Sequence, residues 1–194
     1  MKRILGLAIA SIFLASCAAQ QPGENYGSLV DDAPAPRPRV KNQVEELGQV
    51  NWGRDLDAAK AKSAESGKPI LVLFQEVPGL GTCKDFGNGP LSQPLLVEAI
   101  EDHFIPIVVY NNQAEDAAIL KSFGEPSWNN PVVRFINKDG KDIIKRKAGV
   151  YSISALVTRM IASLKAADRQ VPAFLKTVSR SWANDLKHAT FAMS

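Results

Sequence analysis

Ile70-Leu71-Val72-Leu73-Phe74 is an unbroken apolar run, bounded by Pro69 before it and the polar pair Gln75-Glu76 after it. A strand with one wet face alternates; a run without alternation needs both faces covered, so it belongs at the centre of a sheet with a layer on either side. Ile105 to Tyr110 reads as a second such strand. Between the two, Pro94 suits a first helical turn and Leu95, Leu96, Ala99 and Ile100 recur at helical spacing. Upstream, Asp55 caps a helix through about Ser66 with Leu56, Ala59 and Ala64 inward, ended by Gly67-Lys68-Pro69. Downstream, residues 113 to 122 make a short helix. Val132 to Ile136 and Asp142 to Lys147 read as a hairpin around Asn137-Lys138-Asp139-Gly140. Ser152 caps a helix whose apolar face is Ile153, Leu156, Val157, Met160, Ile161 and Leu164. Because crossovers are right-handed, this order implies an α/β fold with a mixed central sheet flanked by helices. The segment Val77 to Pro90, with four Gly and two Pro, reads as a loop with one helical turn after Cys83.

The ends of the chain have a different character. Lys2 and Arg3 precede an apolar stretch from Ile4 to Leu14, too short for the roughly 20 residues of a membrane span. This is the pattern of a secretory signal over residues 1 to 16. Leu14-Ala15-Ser16-Cys17 resembles a bacterial lipobox, which implies cleavage before Cys17 and its modification by lipid. Each buried methylene adds about 0.8 kcal/mol of membrane affinity, so several acyl chains make a stable anchor. Ala18, rather than an Asp, follows the cysteine; by the enterobacterial sorting pattern this favours a periplasm-facing place on the outer membrane. Residues 17 to 50, with Ala33-Pro34-Ala35-Pro36-Arg37-Pro38, read as the lipidated cysteine and a flexible tether. The folded domain is assigned to 51 to 167. Residues 168 to 194 then carry an extra C-terminal helix, with Phe174, Val178, Trp182 and Leu186 every four residues.

Charge and ligand count exclude several functions. Taking Lys2 and Arg3 from the 23 basic residues leaves 21 against 20 acidic ones, a net charge of +1 that disfavours nucleic acid as a partner. Two cysteines and two histidines are too few for a structural zinc site, and no metal or cofactor is expected. His103, ending a helix in Glu101-Asp102-His103, suits the helix dipole rather than catalysis.

Lys68 to Cys83, together with Asn130-Pro131-Val132-Val133, resembles the thioredoxin-like superfamily over about residues 51 to 166. In that superfamily a Cys-x-x-Cys pair follows the first central strand, and a cis-proline before a later strand packs against it. Val77-Pro78-Gly79 is similar, more narrowly, to a bacterial group in which selenocysteine or cysteine follows Val-Pro-Gly. The resemblance implies an active-site loop of Pro78, Gly79, Leu80, Gly81 and Thr82, a redox residue at Cys83, and a substrate groove beside Trp128 and Pro131. Position 80, where the group carries its attacking residue, is Leu80, while Cys83 matches the resolving cysteine. In the ordinary cycle the first thiolate attacks a substrate disulfide and the second releases the mixed disulfide. A lone Cys83 cannot complete that cycle.

Two functions follow from this departure. One is thiol-disulfide chemistry, impaired or partner-assisted, on protein or small-molecule thiols and disulfides; a helix start or Lys84 would lower the Cys83 pKa for it. The other is a non-catalytic module that binds an extended peptide or a partner around Leu80, Trp128 and Pro131. Ala189-Thr190-Phe191-Ala192, within the last six residues, resembles the strand leading to the catalytic cysteine of A-type methionine sulfoxide reductases. That resemblance implies a reading frame cut short, at a selenocysteine codon, where the Cys-Phe-Trp of that family would follow.

Overall fold

The computed structural model describes residues 40 to 128 and 130 to 179. Cys17, the signal, Trp182, Leu186 and the final strand-like segment lie outside the described residues. In chain order the elements are α1 (Leu56–Ser66), β1 (Ile70–Gln75), α2 (Gly81–Asn88), α3 (Pro94–His103), β2 (Ile105–Tyr110), α4 (Ala117–Phe123), β3 (Val132–Ile136) and α5 (Ile153–Ala166). Residues 173 to 179 are helical as well.

β1 is the central strand of a mixed three-stranded sheet of order β2-β1-β3. It runs parallel to β2, from Ile70 opposite Ile105 to Gln75 opposite Tyr110, and antiparallel to β3, from Ile70 opposite Ile136 to Phe74 opposite Val132. Every residue of β1 is buried, as its unbroken apolar run requires. Leu71 and Leu73 point into a core with Phe86 of α2, Leu96 and Ile100 of α3, and Leu156, Val157, Met160 and Leu164 of α5. Ile70, Val72 and Phe74 point the other way, toward Ala59 of α1 and Leu120 of α4. The period of two thus places helices on both faces. Leu175 and Phe174 of the last helical segment cover the first core.

Several sequence expectations need correction. The Asp142 to Lys147 strand is absent: only one bridge, Ile136 to Asp142, extends β3. Glu125, its side chain 1% exposed, binds Arg134 of β3 at 3.0 Å and Arg146 at 2.6 Å, and Arg134 also pairs with Asp142. The Ile143 amide still donates to the Phe135 carbonyl at 2.9 Å, and beyond it this ion network ties Asp142 and Arg146 to β3 and Glu125 by side chains. The helix expected at 113 to 122 divides into a 3-10 turn at Ala114–Asp116 and α4. On α1, Ala64 is exposed and Ser63 takes the inward position, where its hydroxyl donates to the Lys68 carbonyl at 2.7 Å. The folded part also begins before residue 51: a 3-10 turn at Glu45–Leu47 buries Glu46 and Leu47, and Val50 is fully buried. On the free edge of β2, the Gly53 amide donates to the Pro106 carbonyl and the Val108 amide to the Gly53 carbonyl, both at 3.0 Å. That added bridge covers part of an otherwise open edge.

Candidate functional site

The carboxyl ends of β1 and β2 and the start of β3 meet at one end of the sheet. The loop 76 to 80 leaves β1 there, Asn111 leaves β2 with its amide donating to the Gln75 carbonyl at 3.1 Å, and Pro131 comes one step past the Phe74 to Val132 pair. The register alone brings the Cys83 loop and Pro131 together. The Asn130-Pro131 bond is cis, and so is Val77-Pro78.

The expected loop at 77 to 90 is largely helix. α2 starts at Gly81, with Leu80 as its extended N-cap residue, so Gly81 and Thr82 belong to a first helical turn. The Leu80 carbonyl accepts from the amides of Cys83 at 2.9 Å and Lys84 at 3.2 Å. That geometry turns residue 80 outward and residue 83 inward: Leu80 is 77% exposed and Cys83 only 2%. Gly79 lies directly over the thiol. A methyl group there would sit 2.7 Å from the Cys83 Cβ and 2.4 Å from the Glu76 carbonyl oxygen, so no larger residue fits.

The thiol is not activated. Burial pushes the Cys83 pKa up, and the nearby carboxylates of Glu76 and Glu46 push in the same direction against backbone hydrogen bonds from the loop. Lys84, expected to lower it, is turned to Glu45 at 2.5 Å. Cys83 is accordingly a mostly protonated thiol at neutral pH. Trp128, in the connection from α4 to β3, is 81% exposed, whereas Pro131 is buried. The residues expected to form a groove therefore divide into two exposed ones, Leu80 and Trp128, and two buried ones, Cys83 and Pro131.

Three contributors to the site escaped the sequence reading. Glu46, 3% exposed, accepts the Gly79 amide on its carboxylate at 2.9 Å, and its carbonyl accepts from Gln75 Nε2 at 2.7 Å. Gln75 Nε2 also donates to the Cys83 carbonyl at 3.2 Å, tying β1 to α2. α2 seats so closely on this segment that a methyl on Gly87 would lie 1.9 Å from the Glu45 carbonyl oxygen. Third, Asn112 and Gln113 clamp the loop: Val77 donates its amide to Asn112 Oδ1 at 3.1 Å, and Gln113 Nε2 donates to the Val77 carbonyl at 2.9 Å. The signal for Gln75 was present as a polar residue closing an apolar strand. Glu46 gave no local signal, because its partner lies 33 residues away. His103 ends α3 as expected, its pKa pushed down by burial in spite of Asp102.

A model of a thioredoxin-like family matches residues 51–138. The solved structure of DsbH oxidoreductase is similar at a TM-score of 0.51 and 14% identity, over 66% of this chain and 94% of that one. The fold is thioredoxin-like. Also similar are a thioredoxin from Thermus thermophilus (TM-score 0.49, 18% identity, 58% of this chain and 85% of that one) and the oxidised C-terminal domain of DsbD from Neisseria meningitidis (0.46, 23%, 58% and 99%). No curated protein sequence matches the chain. The exposed N-cap position of α2 carries the hydrocarbon side chain of Leu80. Among the described residues no group of three His, Cys, Asp or Glu could hold a metal, and no helix is long and apolar enough to cross a membrane.

Proposed function

We propose that this is an envelope-anchored thioredoxin-like protein of the thiol-disulfide class whose first redox position has become a contact residue, so that the domain binds an extended partner without turning it over. The observation that carries this reading is the opposite exposure of the two redox positions, 77% for Leu80 and 2% for Cys83. The exposed position has no nucleophile, and the position with a nucleophile is covered by Gly79 and held protonated. Leu80 and Trp128, both on connections at this end of the sheet, are the two most exposed large apolar side chains among the described residues and are the contact residues of this reading. Anchoring rests on the Lys2-Arg3 start, the apolar stretch and the Leu-Ala-Ser-Cys17 motif.

The decisive assay is insulin reduction by dithiothreitol with the full mature chain and its Cys83→Ser variant. Equal rates at background level are expected. A Cys83-dependent rate would overturn the binding-only reading in favour of a partner-assisted thiol, in which Cys83 attacks a disulfide, forms the mixed disulfide with release of one thiolate, and is freed by a second protein's thiol. A Leu80→Cys variant restores a pair three residues apart on an intact scaffold and is expected to gain turnover. Binding of a labelled extended apolar peptide is expected to weaken in Leu80→Asp and Trp128→Ala. Replacing Cys17 by Ser is expected to abolish incorporation of labelled palmitate and release the protein from membranes.

A further inference from the structure

Among the described residues, the partly buried arginines are matched with carboxylates, with one exception. Arg54 pairs with Asp116 at 2.7 Å, and Arg134 and Arg146 share Glu125. Arg159, on α5, has no such partner among the described residues: one amino group donates to the Lys145 carbonyl at 2.6 Å, and its Nε is buried without an acceptor there. Asp142 is the acid that acts on it, and both oxygens of Asp142 already accept from Arg134. Burial disfavours the charged guanidinium and Asp142 compensates only in part. A half-buried cation without a counter-ion is costly unless something supplies the charge.

Arg159 lines a cavity of about 340 Å³ between α5 and the segment before it, together with Lys147, Ser154, Thr158 and Ser179. Lys147 is exposed and makes no ion pair among the described residues. The Thr158 hydroxyl is committed to the Ser154 carbonyl at 2.8 Å and the Ser154 hydroxyl is paired with that of Ser152 at 3.1 Å, which leaves the second amino group of Arg159, Lys147 Nζ and the Ser179 hydroxyl uncommitted among the described residues. Two cations and one uncommitted hydroxyl around a cavity with no carboxylate among its described lining residues form the complement of an oxyanion. We propose that this cavity binds a small oxyanion of the phosphate class, either inorganic phosphate or a small phosphate monoester, held by Arg159 and Lys147. The site is independent of the Cys83 loop and of the function proposed above.

The test titrates inorganic phosphate into the full mature chain at constant ionic strength, with sodium chloride making up the difference, and follows amide shifts by NMR. Saturable shifts confined to residues around Lys147 and Arg159 are expected. Arg159→Gln should weaken the affinity about tenfold or more, the size of one charge-assisted hydrogen bond. Lys147→Gln should weaken it measurably, and Lys62→Gln, exposed on α1, should leave it unchanged. Because Lys147 makes no ion pair, its variant folds irrespective of what Arg159 contributes to stability. Phosphate binding as tight in Lys147→Gln as in the parent, or shifts that fail to saturate, would overturn the proposal.

Discussion

Replacing Glu46 by Ala tests whether the segment before the sheet governs the Cys83 loop. The carboxylate accepts the Gly79 amide at 2.9 Å from a position only 3% exposed. A hydrogen bond to a charged group contributes about 1.5–3 kcal/mol, and an unmatched donor is left behind when the acceptor goes. For a domain of this size, roughly 3 °C per kcal/mol converts that loss to a fall in Tm of about 5–9 °C. Glu46→Gln keeps an oxygen in the same place and should recover about half of the loss, since a neutral bond contributes about 0.5–1.5 kcal/mol. The second readout is iodoacetamide alkylation of Cys83 across pH. In Glu46→Ala the cover over the thiol loosens, so alkylation accelerates at every pH. In Glu46→Gln the cover stays while one charge that raises the thiol pKa is gone, so the midpoint of the rate profile moves to lower pH. An unchanged Tm and an unchanged alkylation profile in Glu46→Ala would refute the idea that this carboxylate holds the loop.

Other perturbations have equally definite outcomes. Glu125→Ala leaves Arg134 and Arg146 without the carboxylate between them, a loss of about 3 kcal/mol or more, to be read from urea midpoints; a change below 1 kcal/mol would show that the network contributes little. Gly79→Ala forces a methyl to within 2.4 Å of the Glu76 carbonyl and 2.7 Å of the Cys83 Cβ, and overpacking of this kind costs about 1–3 kcal/mol; a neutral effect in calorimetry would mean that the loop yields freely. The raised thiol pKa of Cys83 gives a pH signature. Protons leave the unfolded thiol first, so the stability it contributes is complete below the ordinary value of about 9 and is lost as pH rises through the higher folded value. The stability difference between the parent and Cys83→Ala should therefore shrink above pH 9, and a difference constant to pH 11 would contradict it.

The elements that were legible in the sequence are those whose signal is local and periodic. α5 carries its apolar face at helical spacing behind a Ser152 cap, and that cap accepts the Ala155 amide at 3.2 Å as the pattern requires. Asp55 caps α1 in the same way, accepting from Asp57 and Ala58 at 2.9 Å. The turn of the hairpin was legible, with Gly140 at positive φ and the Ile143 amide donating to the Phe135 carbonyl, whereas the side-chain network of residues 125, 134, 142 and 146 joins positions too far apart in the chain to show as a pattern. The glycines of α2 signal a loop locally, whereas Gly87 is there for close packing on Glu45.

The residue order by itself settled that Ile70 to Phe74 is a doubly covered central strand, that a thiol stands at position 83 with none at position 80, and that Asn130-Pro131 precedes a strand. These are facts of composition and short-range pattern. Which of the two positions faces solvent, what covers the thiol and what sets its proton affinity were decided only in three dimensions. Exposure and electrostatics depend on groups brought close by folding, such as Glu46 above Gly79 and Lys84 turned to Glu45, and no spacing along the chain encodes those distances.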